Sequence, residues 1–154
     1  MNKTIIVISI LIVIVIFLAV AAVYLKPFDS GTVKKNLTVG NQTFEVGIAD
    51  NMVNRTQGLS GRSYLDEKEG LLFLFSFPRN SGFWMKGMKF AIDIVWINDG
   101  EVIGFSENLQ PQPGKSIFSL PIYYPPDSVD QVLEINAGAV SKYNLKIGDI
   151  VSLE

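Results

Sequence analysis

The arrangement of apolar and polar positions divides the chain into a long uncharged start and a longer part with strand-like alternation. After the charged tip Met1–Thr4, residues 5–25 carry no charge. A helix of that length, at about 1.5 Å per residue, spans the roughly 30 Å hydrocarbon core of a bilayer. The pattern therefore predicts a transmembrane helix or signal anchor over 5–25. The competing expectation is a secretory signal cleaved near Ala21, since Ala19-Val20-Ala21 offers the small-x-small pattern of a cleavage site. Signal h-regions are usually shorter than this run, which favours the uncleaved anchor. Residues 26–36 hold Pro, Asp, Ser and Gly and read as a linker.

Beyond residue 36 the period changes. Leu37 and Val39 precede a turn at Gly40-Asn41, and Phe44, Val46 and Ile48 alternate with polar or small residues, as in a strand with one buried face. Asp50 or Asn51 is placed to cap a short helix over Met52–Leu59, with Gly58 and Gly61 ending it. Leu71–Phe77 is a continuous apolar run between Gly70 and Pro78, the pattern of a strand covered on both faces. Asn98-Asp99-Gly100 predicts a hairpin pairing 91–97 with 101–105. Alternation then sets Ile92, Ile94 and Trp96 on one face and Asp93, Val95 and Ile97 on the other.

Residues 108–128 contain five of the seven prolines, a long excursion of the kind that is functional or mobile in compact domains. A strand is expected over 129–135, with Val129, Gln131, Leu133 and Ile135 on one face. Next comes a helix over 137–143, capped by Asn136 and closed by a left-handed Asn144. Ile147-Gly148-Asp149 turns into a last strand over 150–153. The predicted fold is mainly β, a compact, mostly antiparallel sandwich or barrel over residues 37–154 with two short helices, behind one transmembrane helix.

Composition narrows the chemistry. The chain has no histidine and no cysteine, so it contains no Cys- or His-ligated zinc site and no Ser-His-Asp or Cys-His centre. No cofactor and no metal ligand set is expected, although an all-oxygen cation site stays open. After residue 25 there are twelve basic and fifteen acidic groups, which speaks against a nucleic-acid partner. Lys26, Lys34 and Lys35 come after the apolar run while only Lys3 precedes it, a bias against export under the positive-inside rule. A first, signal-like segment with a short N-terminal tail still exports the domain behind it. The domain is therefore expected to be extracytoplasmic, tethered to the bilayer through residues 5–25.

From Phe44 onward the chain resembles a bacterial and archaeal family, domain of unknown function 192. The residues that carry the resemblance are Arg55-x-x-Gly58-Leu59, Gly70-Leu-Leu-Phe-Leu-Phe75, Phe83-Trp84-Met85, Asp93, Val132-Leu133-Glu134 and Gly148-Asp149. Gly87-Met88 stands where the family tends to have Asn-Thr, Ala91 where proline is common, and Leu71 where methionine is. The resemblance implies a small β-rich domain, often behind a signal peptide or anchor, and no settled activity.

The candidate binding residues are Arg55, Trp84, Lys86, Asp93, Tyr123 and Tyr124; no catalytic residue is assigned. Arg55 and Asp93 are expected to meet as an ion pair tying helix to sheet, or to anchor an anion beside Trp84. Trp84 and Met85 fit a core as well as a ligand platform, and Lys86 fits a solvated turn. Tyr123 and Tyr124 fit a half-wet lip for a sugar or peptide. Asp93 and Glu134 form the one carboxylate pair that could serve glycoside hydrolysis, if about 5–9.5 Å apart. The expected function is a non-catalytic module binding a glycan, peptide or envelope partner. A carboxylate hydrolase and a purely structural envelope component are the alternatives.

Overall fold

A computed structural model describes residues 9–16 and 33–154. Residues 9–16 are helical and exposed throughout. No helix among the described residues is long and apolar enough to cross a membrane. The rest of the expected 5–25 span, the tip and most of the linker lie outside the described residues.

The folded part begins with strands β1 (Lys34–Val39) and β2 (Gln42–Ala49), helix α1 (Met52–Gln57), β3 (Glu69–Arg79) and β4 (Phe83–Trp84). The hairpin β5 (Ile92–Asn98) and β6 (Glu101–Leu109) comes next, then β7 (Ile122–Tyr123), β8 (Val129–Asn136), helix α2 (Ala139–Lys142) and β9 (Val151–Leu153). Seven strands form one sheet in the order β6-β5-β8-β3-β2-β1-β9, while β4 and β7 make a separate ribbon. Within the large sheet only β2 and β3 run parallel, because α1 and the loop after it carry the chain across from one to the other. At the hairpin, Asp99 and Gly100 both take positive φ (52° and 72°), the geometry a two-residue turn with Asp-Gly demands.

Of the expected sandwich or barrel, the structure takes the second in part: one curled sheet, a half-barrel. Its outermost strands approach at one end, where Glu101 bridges Ile150 and the Val102 amide donates to Asp149 O at 3.0 Å. Closing the edge in this way satisfies backbone groups that would otherwise template aggregation. One sheet must then be covered on both faces. The inner cluster draws Leu37, Phe44, Leu72, Val95, Leu133 and Ile135 from across the sheet and is plugged by Ala139, Val140 and Leu145. The outer cluster holds Leu59, Phe73, Met85, Met88, Ile94, Trp96 and Val132, and is roofed by the segments after α1 and around β4.

Several boundaries move for local reasons. β1 starts at Lys34 within the expected linker, because Lys34–Asn36 pair with Glu45–Gly47. Gly58, at φ 54°, stops α1 one residue after Gln57, while Asn51 caps it by accepting from the Asn54 amide at 3.0 Å. Asn136 does not cap α2; its side chain donates to Leu65 O and Asp66 O, and Gly138 takes the cap position. Asn144 does turn left-handed, at φ 54°, ahead of a buried Leu145. Val129 joins the outer cluster, not the face of Leu133 and Ile135, because the β3–β8 register slips between Leu74 and Arg79.

Asp93 is fully buried, and its carboxylate accepts two backbone hydrogen bonds. Oδ1 takes the Asn108 amide at 2.8 Å, and Oδ2 takes the Val140 amide at 3.0 Å in the first turn of α2. Asn108 sits at φ 55°, in the stretch where the β5–β6 register shifts between Ile92 and Ile94. One side chain thus fixes a bulge and caps the helix that plugs the barrel. The expected Arg55–Asp93 ion pair does not form. Asp93→Ala would strand the buried Val140 amide and the part-buried Asn108 amide, and we expect a loss of roughly 3–5 kcal/mol in urea unfolding. A loss below about 1 kcal/mol would show that this clamp does not hold the barrel end.

Candidate functional site

The outer face of the sheet is incompletely roofed, and the gap is a pocket of about 370 Å³. Its floor is Glu134 on β8, which is flanked in register by Leu71 of β3 and Ile94 of β5. Phe73 and Phe83 form one wall, their rings edge-to-face with centroids 5.0 Å apart. Phe83 in turn meets Trp96 edge-to-face at 5.5 Å, and the Trp96 indole N–H is satisfied by Ser106 Oγ at 3.1 Å. Trp84, 43% exposed, stands at the rim beside Arg55, Met52 and Arg79.

Arg55 is held from below. Its Nη1 donates to Asp50 O at 2.7 Å and to Leu74 O at 2.8 Å, tying α1 to β3. Its guanidinium carbon lies 5.6 Å from the centre of the Phe75 ring, and that of Arg79 lies 4.9 Å from the same ring. Such stacking suits the weakly hydrated guanidinium and keeps its remaining donors free to turn toward an anion. Among the described residues neither arginine joins an ion pair with a carboxylate.

Glu134 is 6% exposed, and its Oε2 has no hydrogen-bond partner among the described residues. Burial in apolar surroundings pushes its carboxyl up to about 8, so it is protonated at neutral pH. The neutral acid offers one donor and retains acceptor capacity, and the residue lines the pocket. Gly58 arches over it. A β-carbon there would stand 3.7 Å from Glu134 Oε2 and 3.4 Å from Phe73 Cζ, and the φ of 54° already disfavours any side chain.

The expected site residues separate into two groups. Arg55 and Trp84 both line the pocket. Asp93 is on the opposite face of the sheet, in register with Ile135. It therefore faces away from Glu134, and the carboxylate pair needed for glycoside hydrolysis does not converge. Lys86 contributes a backbone carbonyl, which accepts from Ser60 Oγ and helps clasp the two roof segments; its side chain is exposed. Tyr123 pairs with Phe83 across the β4–β7 ribbon, and the Tyr124 ring packs against Gly82. Neither tyrosine lines the pocket; both brace the strand that carries Trp84. No cluster of acids able to hold a metal ion occurs among the described residues.

Two pocket residues escape sequence reasoning. The chain by itself offers Glu134 only as a partner for Asp93, although a lone acid among the apolar residues of 132–135 is a signal that it faces something polar. Arg79 ends the apolar run of β3 after Pro78, and only the fold brings it over Phe75. Asp149, by contrast, makes the local turn its sequence suggests, accepting from the Lys146 amide at 2.8 Å.

Because Glu134 titrates near 8 when folded and near the usual 4.5 when unfolded, the native state retains a proton that the unfolded chain has lost. Stability should therefore fall as pH rises from about 4.5 to about 8, at up to about 1.4 kcal/mol per pH unit. Glu134→Gln should flatten that slope and be the more stable form at the alkaline end, in urea midpoints measured across this range. An unchanged slope would mean that the carboxyl is solvated.

The comparisons agree with this architecture. A protein from Sinorhizobium meliloti 1021, described as a candidate transcription regulator, is 27% identical and superposes with a TM-score of 0.73, over 81% of this chain and 97% of that one. A protein of unknown function from Novosphingobium aromaticivorans DSM 12444 is 26% identical, with a TM-score of 0.74, over 81% of this chain and 89% of the other. No curated protein matches the chain. The family model DUF192, "Uncharacterized ACR", matches residues 34–153, the whole of the curled sheet, and the chain belongs to the DUF192 family.

Proposed function

We propose that this protein is a membrane-tethered, extracytoplasmic binding domain that takes a ligand in the pocket over Glu134. The observation that carries the reading is convergence. Arg55 and Gly58, Phe73 and Phe75, Phe83 and Trp84, and Glu134 come from four separate sequence segments and line one open pocket. Pockets of about 300–1,000 Å³ with apolar walls and a few convergent polar groups are the usual form of a small-molecule site. A glycan, a peptide end or a group on an envelope partner would enter past Trp84.

The tether rests on the uncharged run 5–25 and on the exposed apolar helix at 9–16, whose side chains Ile10–Ile16 are each 46–65% exposed. Lipid is the medium that would cover them. The alternative of cleavage near Ala21 would leave the same domain secreted. A hydrolase reading loses its carboxylate pair, since Asp93 and Glu134 point to opposite faces. The regulator description of one structural neighbour finds little footing here, where acidic groups outnumber basic ones after residue 25.

Three measurements test the reading. Alkaline carbonate should leave the chain in the membrane fraction, and protease outside intact cells should remove the domain; a protected domain would reverse the topology. Purified full-length chain should give hits on glycan and peptide arrays that Trp84→Ala weakens by about tenfold or more. Hits indifferent to Trp84→Ala would move the site elsewhere.

A further inference from the structure

Three groups in the pocket are under-used by the fold. Glu134 Oε2 is buried without a partner, Arg79 stacks on Phe75 without an acid, and Arg55 engages the backbone through Nη1. The charged and titratable side chains lining the pocket are Arg55, Arg79 and Glu134, so with the acid protonated the pocket is positive. Arg79 is exposed and Arg55 half-buried, whereas Glu134 is buried, which orders the site from a cationic mouth to a neutral, hydrogen-bonding floor. Phe73, Phe83 and Trp84 line the space between.

We infer that the pocket binds a small organic anion with a flat apolar body. Its carboxylate or phosphate rests on Arg55 and Arg79, and a carbonyl oxygen at its inner end accepts a hydrogen bond from the Glu134 carboxyl. This ligand class presupposes that the pocket is the binding site proposed above. Guanidinium forks match both anions. The same two cations at the mouth disfavour an amine. A carbonyl at the floor gives the orphaned acid its missing partner, whereas a purely apolar end would leave that group unsatisfied, which discriminates strongly between otherwise similar ligands.

Binding of such a ligand carries a pH signature. As pH rises through about 8, Glu134 ionises, loses its proton for donation and faces the carbonyl oxygen with like charge. Affinity should then fall, and Glu134→Gln, which keeps an N–H donor at every pH, should bind without that step.

The test uses the full-length chain in nanodiscs, with calorimetry and tryptophan fluorescence as readouts. The probes are para-acetylbenzoate, para-acetylphenyl phosphate, and para-ethylbenzoate as the carbonyl-free control. We expect an acetyl probe to bind about tenfold or more tightly than the control, and Arg55→Met and Arg79→Met each to weaken it about tenfold. The tighter of the two acetyl probes identifies the anion. Affinity should drop about tenfold between about pH 7 and about pH 9 for the parent and stay level for Glu134→Gln, each variant being checked for native circular dichroism. Equal binding of acetyl and ethyl probes overturns the inference, as does a pH step that persists in Glu134→Gln. If no anion binds while a Trp84-dependent hit on the arrays survives, the ligand class fails and the binding reading stands.

Discussion

The central strands of this sheet are buried on both faces, and the rest of the structure answers to that constraint. β5, β8 and β3 lie side by side, and in β5 every residue from Ile92 to Ile97 is buried. A single sheet cannot bury both of its sides by itself. The chain meets the inner side by curling until β6 and the turn before β9 touch, and by plugging the end with α2. It meets the outer side with irregular segments, the turn after α1 and the stretch around β4, which are clasped by Ser60 to Lys86 and by the Gly61 amide to Gly87 O at 3.0 Å.

Irregular cover leaves gaps where a helix would not, and the pocket is such a gap. The two acids of the central strands show what each face requires. Asp93 points inward and is fully committed to two backbone amides, an arrangement that satisfies a carboxylate in a dry interior. Glu134 points outward beneath Gly58 and has no such amides, so it remains a protonated acid at neutral pH. An unsatisfied buried polar group is costly, and its place in the lining of a pocket is an observation behind the binding reading proposed above. The aromatic walls and the two arginines stacked on Phe75 complete a site graded from charged mouth to neutral floor.

Family membership and the two structural neighbours place this architecture in a lineage without assigning it chemistry. The family-bearing residues divide by role in the structure. Asp93 and Gly148-Asp149 build the barrel and its closing turn, while Arg55, Gly58, Phe73, Trp84 and Glu134 meet at the pocket. The residues shared with the family thus fall into two groups, one that builds the barrel and one that lines the pocket.

Local rules determined much of this protein from sequence. The Asp99-Gly100 turn, the Asn51 cap, the left-handed Asn144 and the two-faced alternation of β5 all arise from interactions within a few residues, and the structure agrees. What needed the tertiary structure is everything set by register and curvature. Alternation places Asp93 and Glu134 on their own strands, but only the pairing of Ile94 with Glu134 and of Asp93 with Ile135 puts them on opposite faces. Likewise, the attraction expected between Arg55 and Asp93 is a matter of charge alone. The sheet that separates them is built by contacts between residues far apart in the chain, and no local signal encodes which side of it a side chain will occupy.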